Sequence, residues 1–506
     1  MQICVHLDAA RLYRWHLALL TALADAGHEV AVSFRDTPEP LPTSFTALID
    51  YDHARARAGM DRFSTLLRSE AFSSWPQYAG GTYDLMLDLS SASTVKTHPG
   101  RIIRPLYNGS FMDYALFHAI LQQRAPILSV SDSISRDHVW LIGTPAVETP
   151  WRPSVSMDMI SSRLVEGLVR VVNRIAHDEG PQDPLPTKRS FAGRSTILSS
   201  ATSLMRARIA RKMGRVAEVV AGNEARWFVA WRKISSEAVT SSVSQKLEIN
   251  KFRTLEDGGT RYFADPFVFV DNDTTHVFVE ELPKATGRGI ISHFTLASDG
   301  SPSKVTPVLE TEFHLSYPLV FSHEGTIYML PESSASGGLD LYRARRFPYE
   351  WEKSARLIEG HLHDATIFRH EGRWWIAAGT ISLQSSSWDA LSLFYAEALI
   401  GPWHAHPHNP VLIDAAAARP AGHVWRDEAG RLVRPAQNCT DGYGSSLTLR
   451  AIVRLDPEGF SEETDGAIAF EPDSGILGPH TLNRAGGFEV IDLFARPSAL
   501  GAGYRT

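Results

Sequence analysis

The spacing of apolar and polar positions changes character twice along this chain. From Met1 to about residue 150, short apolar runs alternate with stretches of helical period. "MQICVHL" reads as a buried strand, and "RLYRWHLALLTALADAGHEVAVSF" as an amphipathic helix closed by Gly27 and followed by a second strand. "YDLMLDLS" (83–90) and "APILSVSD" (125–132) read as further strands. This alternation predicts an α/β domain over 1–150 built on a parallel, doubly wound sheet. The first strand–helix turn, "HLDAARLYR", contains no GxGxxG, so a dinucleotide fingerprint is absent. Asp88 ends its strand where open α/β sheets bind ligands, and Asn108 with Gly109 and Ser110 forms a candidate ligand-binding turn.

Residues 151–225 read as a helical and Pro-rich linker. "SSRLVEGLVRVVNRIAHDEG" puts Leu164, Leu168, Val171, Val172 and Ile175 on one helix face. "GPQDPLPTKRS" (180–190) is Pro-rich. "LMRARIARKMGRVAEVV" (204–220) predicts a basic amphipathic helix with Arg206, Arg208, Arg211, Lys212 and Arg215. Such a helix either packs on the next domain or makes a peripheral contact with an anionic membrane.

From 226 to 506 the period shortens to that of strands, with aromatic runs broken by Gly, Pro, Asn and Asp. The pattern repeats. Units open at "ADPFVFVDNDTTHVFVEEL", "SYPLVFSHEGTIYMLPES", "HDATIFRHEGRWWIAAGT", "AGHVWRDEAGRLVRPAQN" and "GPHTLNRAGGFEVIDLF". Each is a polar head, a short strand, a turn and a second strand. Successive units start roughly 45–60 residues apart, the period of propeller blades. Five units predict a five-bladed all-β propeller, with "WFVAWRK" (227–233) helping to close the ring.

Composition narrows the classes. A chain of 506 residues exceeds one ordinary core, and a net charge of −7 with no global basic excess argues against a nucleic-acid partner. Two distant cysteines make no disulfide framework and fit a reducing compartment. No signal-peptide pattern and no run of about 18 apolar residues is present, so a cytoplasmic protein is expected, able to work at the inner face of a membrane.

In a propeller the innermost strands surround the axis, so equivalent repeat positions converge. The unit heads are Asp265, Tyr317, Asp364, His423 and His480; second strands end in Glu280 and Glu281, Glu332, Thr380, Arg434 and Gln437, and Asp492. Asp265 precedes Pro266 in an apolar run. Proline lacks a ladder donor, which places Asp265 at the mouth of a strand. Carboxylates near an axis are costly without partners, so several at one mouth point to a polar ligand, a metal or acid/base chemistry. Glycosidic-bond chemistry needs one carboxyl group as proton donor and an ionised one opposite. Asp265, Glu332 and Asp364 are candidates for base, acid and pKa tuner. Glu281, Tyr317, His363, His423, Arg434, Gln437, His480 and Asn483 are candidate sugar-binding residues, with Asp441 in an Asp-Gly turn a further one. No HxxxH-type spacing supports a metal site, and no cofactor is expected.

With "FADPFVF", "SYPLVF…YMLPESS", "DATIF", "RPAQNC" and "GPHTLN" in hand, residues 226–506 resemble the N-terminal propeller domain of glucosamine inositolphosphorylceramide transferases. That domain is in turn similar to the five-bladed propellers of glycoside hydrolase family 43. The resemblance implies an Asp base heading the first blade, a second Asp as tuner and a Glu acid, which map onto Asp265, Asp364 and Glu332; the Glu lies in "LPESS", a departure from the hydrolase setting. Residues 1–150 are weakly similar to a formyltransferase-like domain around "RPLYNGSFMDYALFHAIL", though where that family has His-x-Ser-Leu-Leu-Pro this chain reads "RIIRPLYNGS". The opening helix also looks like the N-terminal half of two-domain glycosyltransferases. The expectation is a carbohydrate-active enzyme. The leading form is a glycosyltransferase of cell-envelope glycan or glycolipid synthesis, with a sugar donor such as a nucleotide sugar and a glycan or glycolipid acceptor. The alternatives are an intracellular glycoside hydrolase or phosphorylase, and a non-catalytic glycan-binding protein.

Overall fold

The structure, a computed structural model, describes residues 1–500 apart from 37–42, 56–61, 79, 92–99, 112, 187–193, 222, 236–243 and 472–473; the end of the Pro-rich stretch, 187–190, thus lies outside the described residues. The chain forms two compact units, one of residues 1–214 with 382–386, the other of 215–381 with 387–506.

The first unit carries a seven-stranded sheet in the order Glu29–Arg35, Gln2–Asp8, Leu85–Asp88, Arg101–Tyr107, Leu128–Asp132, Ser135–Gly143, Asp183–Pro184. The first four strands are parallel, as strand–helix alternation predicts, and the last three are antiparallel, so the sheet is mixed. For one of these pairings the reason is local: Leu128–Asp132 runs into Ser135–Gly143 through a tight turn with no room for a crossover helix. Helix Pro153–Ala176 starts with proline at its first turn and buries Ile160, Leu164, Leu168, Val171, Val172 and Ile175.

The second unit is a five-bladed propeller. Its blades are the sheets led by Arg261–Asp271, Ser316–His323, Leu362–His370 and Trp425–Arg426, and a fifth of mixed origin. In the fifth, the N-terminal strand Arg226–Lys233 pairs antiparallel with the C-terminal strand Phe488–Ala495. The ring therefore closes by hydrogen bonds between the two ends of the unit, as the "WFVAWRK" run predicts. A second tie comes from Gln245–Leu247, which joins the fourth blade's outer strand in parallel. Apolar residues from successive blades interlock: Phe267 of the first blade packs with Leu319, Leu330 and Leu341 of the second and with Ile367 and Ile376 of the third.

One device recurs at the head of three consecutive blades. The ladder between the first two strands skips Asp265–Pro266, Tyr317–Pro318 and Asp364–Ala365. In each bulge the leading residue is left-handed, with φ 48°, 48° and 49° at Asp265, Tyr317 and Asp364. Asp265 is thus not at the start of its strand, as the proline suggests, but inside Arg261–Asp271; the donor that proline lacks falls where the ladder is already interrupted. Left-handed non-glycine residues cost on the order of 1 kcal/mol each and persist where surroundings over-determine them.

Candidate functional site

The three bulges turn Asp265, Tyr317 and Asp364 inward, and all three are buried. Asp265 Oδ2 accepts from the Tyr317 backbone N–H (3.1 Å) and Oδ1 from the Thr481 hydroxyl (2.8 Å); its own N–H donates to Asp492 Oδ2 (3.0 Å). His480 lies between two carboxylates, Nε2 at 3.2 Å from Asp265 and Nδ1 at 2.5 Å from Asp492. The N–H groups of His480 and Thr481 donate to Asp492 Oδ1, both at 2.9 Å, within the fifth blade. On the other side, Glu332 Oε2 accepts from the Asp364 N–H (2.9 Å) and Oε1 lies 3.2 Å from His363 Nδ1. Asp364 Oδ2 accepts from Arg419 Nε (2.5 Å) and Gln437 Nε2 (2.7 Å). The Tyr317 hydroxyl bridges Thr366 and the backbone of Gly422, and Asn483 accepts from the His423 N–H while donating to the Pro266 carbonyl. The side chains of Asp265, Tyr317, Glu332 and Asn483 each bond another blade, so the axis is a polar ring.

The carboxyl groups are driven apart. Burial pushes Asp265 up to about 8, the charges of Asp364, Glu280 and Asp492 adding and that of His480 opposing. Burial also works against charge on Glu332, but the hydrogen bond and charge of His363, with Arg419 and the Asp364 N–H, outweigh it and bring the group down to about 2. Asp364 is raised, burial outweighing Arg419. Burial disfavours charge on His480, yet Asp492 and Asp265 hold the imidazole at about 9. The surroundings of Asp265, expected as the ionised base, favour its protonated form, and those of Glu332, expected as the acid, favour its ionised form.

Two buried polar atoms beside Glu332 and Asp364 have no partner in the structure: His363 Nε2 and Gln437 Oε1. Buried polar atoms rarely go unpaired, and these are the points at which a ligand hydroxyl or a water would bind. Aromatic rings border the same cluster. Trp227 lies over the His480 ring (3.9 Å between centroids), Tyr443 meets His480 at 5.2 Å and Trp388 at 5.3 Å, and the Arg419 guanidinium lies 5.1 Å from the Tyr443 ring. Gly444 permits this approach: with φ 59°, a Cβ there would come within 2.7 Å of His480 Cβ.

Other predicted site residues lie elsewhere. Glu281 is bound by Arg261 (2.6 Å) and Ser292 (2.6 Å); its neighbour Glu280 points to the other face of the strand, where its charge reaches Asp265 and His314 lies 3.0 Å away. Arg434 is consumed by Glu462 (2.7 Å) and the carbonyls of Ala417 and Ala418 inside the fourth blade. The His423 ring packs edge-on against Phe267, and burial lowers it to about 4, so it is neutral. Asp441 is exposed on its turn, while Tyr443 two residues later reaches the cluster. Asn108, in the first unit, closes its own loop through Ile127, accepting from its N–H at 3.0 Å. Sequence reasoning missed Arg419, Thr481, His314, Trp227, Trp388 and Tyr443. Although the spacing gave no metal motif, ring closure brings ligand atoms of Asp265, His480 and Asp492 within 4.8 Å of one another, a set able to hold a cation only with His480 neutral.

Residues 251–474 match the family model described as "Glucosamine inositolphosphorylceramide transferase 1, N-terminal". The curated glucosamine inositolphosphorylceramide transferase 1 of Oryza sativa subsp. japonica is 34% identical over 215 residues, covering 41% of this chain and 29% of that protein. The protein of the same name from Arabidopsis thaliana is 32% identical over 207 residues, 40% of this chain and 27% of its own length. The chain thus spans less than a third of the length of these relatives. Among solved structures, a mutant of the GH43 protein BlXynB from Bacillus licheniformis is similar with a TM-score of 0.31 and 17% identity over 40% of this chain and 43% of that one. The catalytic domain of a Coprinopsis cinerea GH62 alpha-L-arabinofuranosidase gives 0.35 and 11% over 53% and 97%.

Proposed function

We propose that the propeller is a carbohydrate-active module and that the chain transfers a sugar, from a donor of the nucleotide-sugar class to a glycan or glycolipid acceptor of the cell envelope. The observation that carries this reading is the gathering of Asp265, Asp364 and Glu332 in one central cluster, where burial favours the proton on Asp265 while His363 and Arg419 favour the charge on Glu332. Two carboxyl groups whose environments separate their pKa values are the acid and base that glycosidic chemistry needs. In this reading Asp265 protonates the leaving oxygen. Glu332 takes the proton from the attacking hydroxyl. Asp364, clamped by Arg419 and Gln437, sets the field between them. His363 and Gln437 offer one hydrogen-bonding atom each to sugar hydroxyls, and the rings of Trp388 and Tyr443 offer an apolar face. The match of residues 251–474 to proteins named as transferases supports transfer over hydrolysis.

A second reading draws on the same ring. Each of the three carboxylates bonds a neighbouring blade, as a purely structural pin or a non-catalytic glycan-binding site would require. Turnover separates the two. Full-length protein incubated with labelled nucleotide sugars and glycan or glycolipid acceptors is expected to form a larger product. Asp265→Asn and Glu332→Gln should each slow it by roughly a hundredfold or more, with ligand affinity largely kept. Free sugar as the main product indicates a hydrolase. Unchanged turnover in both variants excludes these carboxyl groups from the chemistry.

A further inference from the structure

Helix Arg194–Val220 has two unlike faces. One is used within the protein: Ala201 and Leu204 are buried, Arg208 pairs with Asp52 (3.0 Å) and donates to the Trp151 carbonyl (2.5 Å), and Arg211 lies 3.5 Å from the centre of the Trp151 ring. On another face Ile209, Met213, Val216 and Val220 recur every third or fourth residue, the spacing of a single helical stripe. Their exposures are 57%, 69%, 58% and 83%. Single exposed apolar residues are ordinary, but four in one line on one helix form a patch that needs an occupant.

Charge selects the occupant. Arg206 and Lys212 are exposed and stand three or four residues from Ile209 and Val216, one on each side of the stripe, and Arg215 is exposed as well. Of the nearby carboxylates, Glu218 is taken up by Arg496 (2.6 Å) and Glu224 lies 4.0 Å from Arg215. In a chain with a net charge of −7, this helix is a local cationic surface around an apolar line. No helix among the described residues is long and apolar enough to cross a membrane. We propose that this face lies in the interface of an anionic membrane, Ile209, Met213, Val216 and Val220 entering the acyl boundary while Arg206 and Lys212 reach the headgroups. The charged stems extend along the apolar surface with their ends in water, as long cationic side chains do at such interfaces. The inference stands on the helix alone and is independent of the chemistry at the propeller axis.

The test is flotation of the full-length protein with vesicles of phosphatidylcholine, with and without phosphatidylserine. Capture is expected by the anionic vesicles and is expected to weaken with salt. Met213→Asp combined with Val216→Asp should lower apparent affinity by on the order of tenfold or more. Arg206→Gln and Lys212→Gln should each cost about fivefold. All four positions are exposed, so melting should not change. An environment-sensitive fluorophore on Met213→Cys, the native Cys4 and Cys439 being buried, should shift to the blue with anionic vesicles alone. Capture that the aspartate pair leaves intact, absence of capture, or an unshifted fluorophore overturns the proposal. So does a concentration-dependent dimer, seen by light scattering without lipid and abolished by Met213→Asp, since the stripe would then be covered by a second copy.

Discussion

Asp265, Glu332 and Asp364 share an axis, but the residues that touch them push their titrations in different directions. Glu332 is reached by His363 and Arg419; Asp265 is buried and has carboxylates around it, opposed by the charge of His480 and by the hydrogen bonds from the Tyr317 N–H and the Thr481 hydroxyl. The consequences for stability have opposite signs. Glu332, held at about 2, contributes stability that is present above its ordinary value near 4.5 and is lost as pH falls towards 2. Asp265, held up to about 8, and His480, held at about 9, contribute stability at low pH that is lost as pH rises through those values. Thermal melts between pH 5 and 9 should therefore show the melting temperature falling towards the alkaline end, with a shallower fall in Asp265→Asn. Equal slopes would mean that Asp265 is ionised throughout. Under the proposed mechanism the turnover of the wild type should also decline as pH rises through about 8, because the proton donor is lost. The residue identities were legible because carboxylates and a tyrosine interrupt apolar strands at repeat positions. Their roles were not, since Arg419 and His480 act from other parts of the ring, 55 positions from Asp364 and far from Asp265 along the chain.

At the scale of the element, the left-handed bulge is what converts a strand into a site. It releases two residues from the ladder in each of three blades and aims the first at the axis. "ADP" and "SYP" announce it in sequence, through a proline that cannot donate to a ladder, but whether such a proline begins a strand or sits in a bulge depends on the partner strand's register. Tyr317 shows what the bulge supports. Its hydroxyl joins the second blade to Thr366 of the third and Gly422 of the fourth. Tyr317→Phe should cost about 1–3 kcal/mol in denaturant unfolding, since it leaves buried partners unpaired; a loss near zero would mean that these partners re-pair among themselves. Alternation explains the exchange of Glu281 for Glu280: adjacent residues face opposite sides of a strand, and the pattern "VEEL" does not say which faces the axis. Trp227, Trp388 and Tyr443 come from a strand end and two turns outside the repeated positions, so the repeat could not reveal them.

For the propeller unit as a whole, repeat counting recovered five blades and the closing strand, because each unit repeats a polar head, a short apolar strand, a turn and a second strand at a blade-sized period. It did not reveal how the ring is sealed. Trp231, on the closing strand, is buried and donates to the Gly300 carbonyl (2.9 Å) beside the first blade, so the seal holds both side chain and backbone. Trp231→Ala should cost roughly 3–5 kcal/mol, read by guanidinium unfolding; a loss under about 1 kcal/mol would show that the ring does not depend on that contact. In the α/β unit the parallel strands were legible and the antiparallel ones were not, since "APILSVSD" carries no sign of its direction. Under the proposed function the propeller axis binds a sugar between its carboxyl groups and its aromatic rings. The most direct test is calorimetric titration of full-length wild type and Trp388→Ala with a panel of nucleotide sugars and a panel of free oligosaccharides. Saturable binding of at least one sugar compound is expected from the wild type, weakened roughly tenfold or more in the variant; no binding in either panel, or equal binding by both proteins, would rule out a sugar site at the axis.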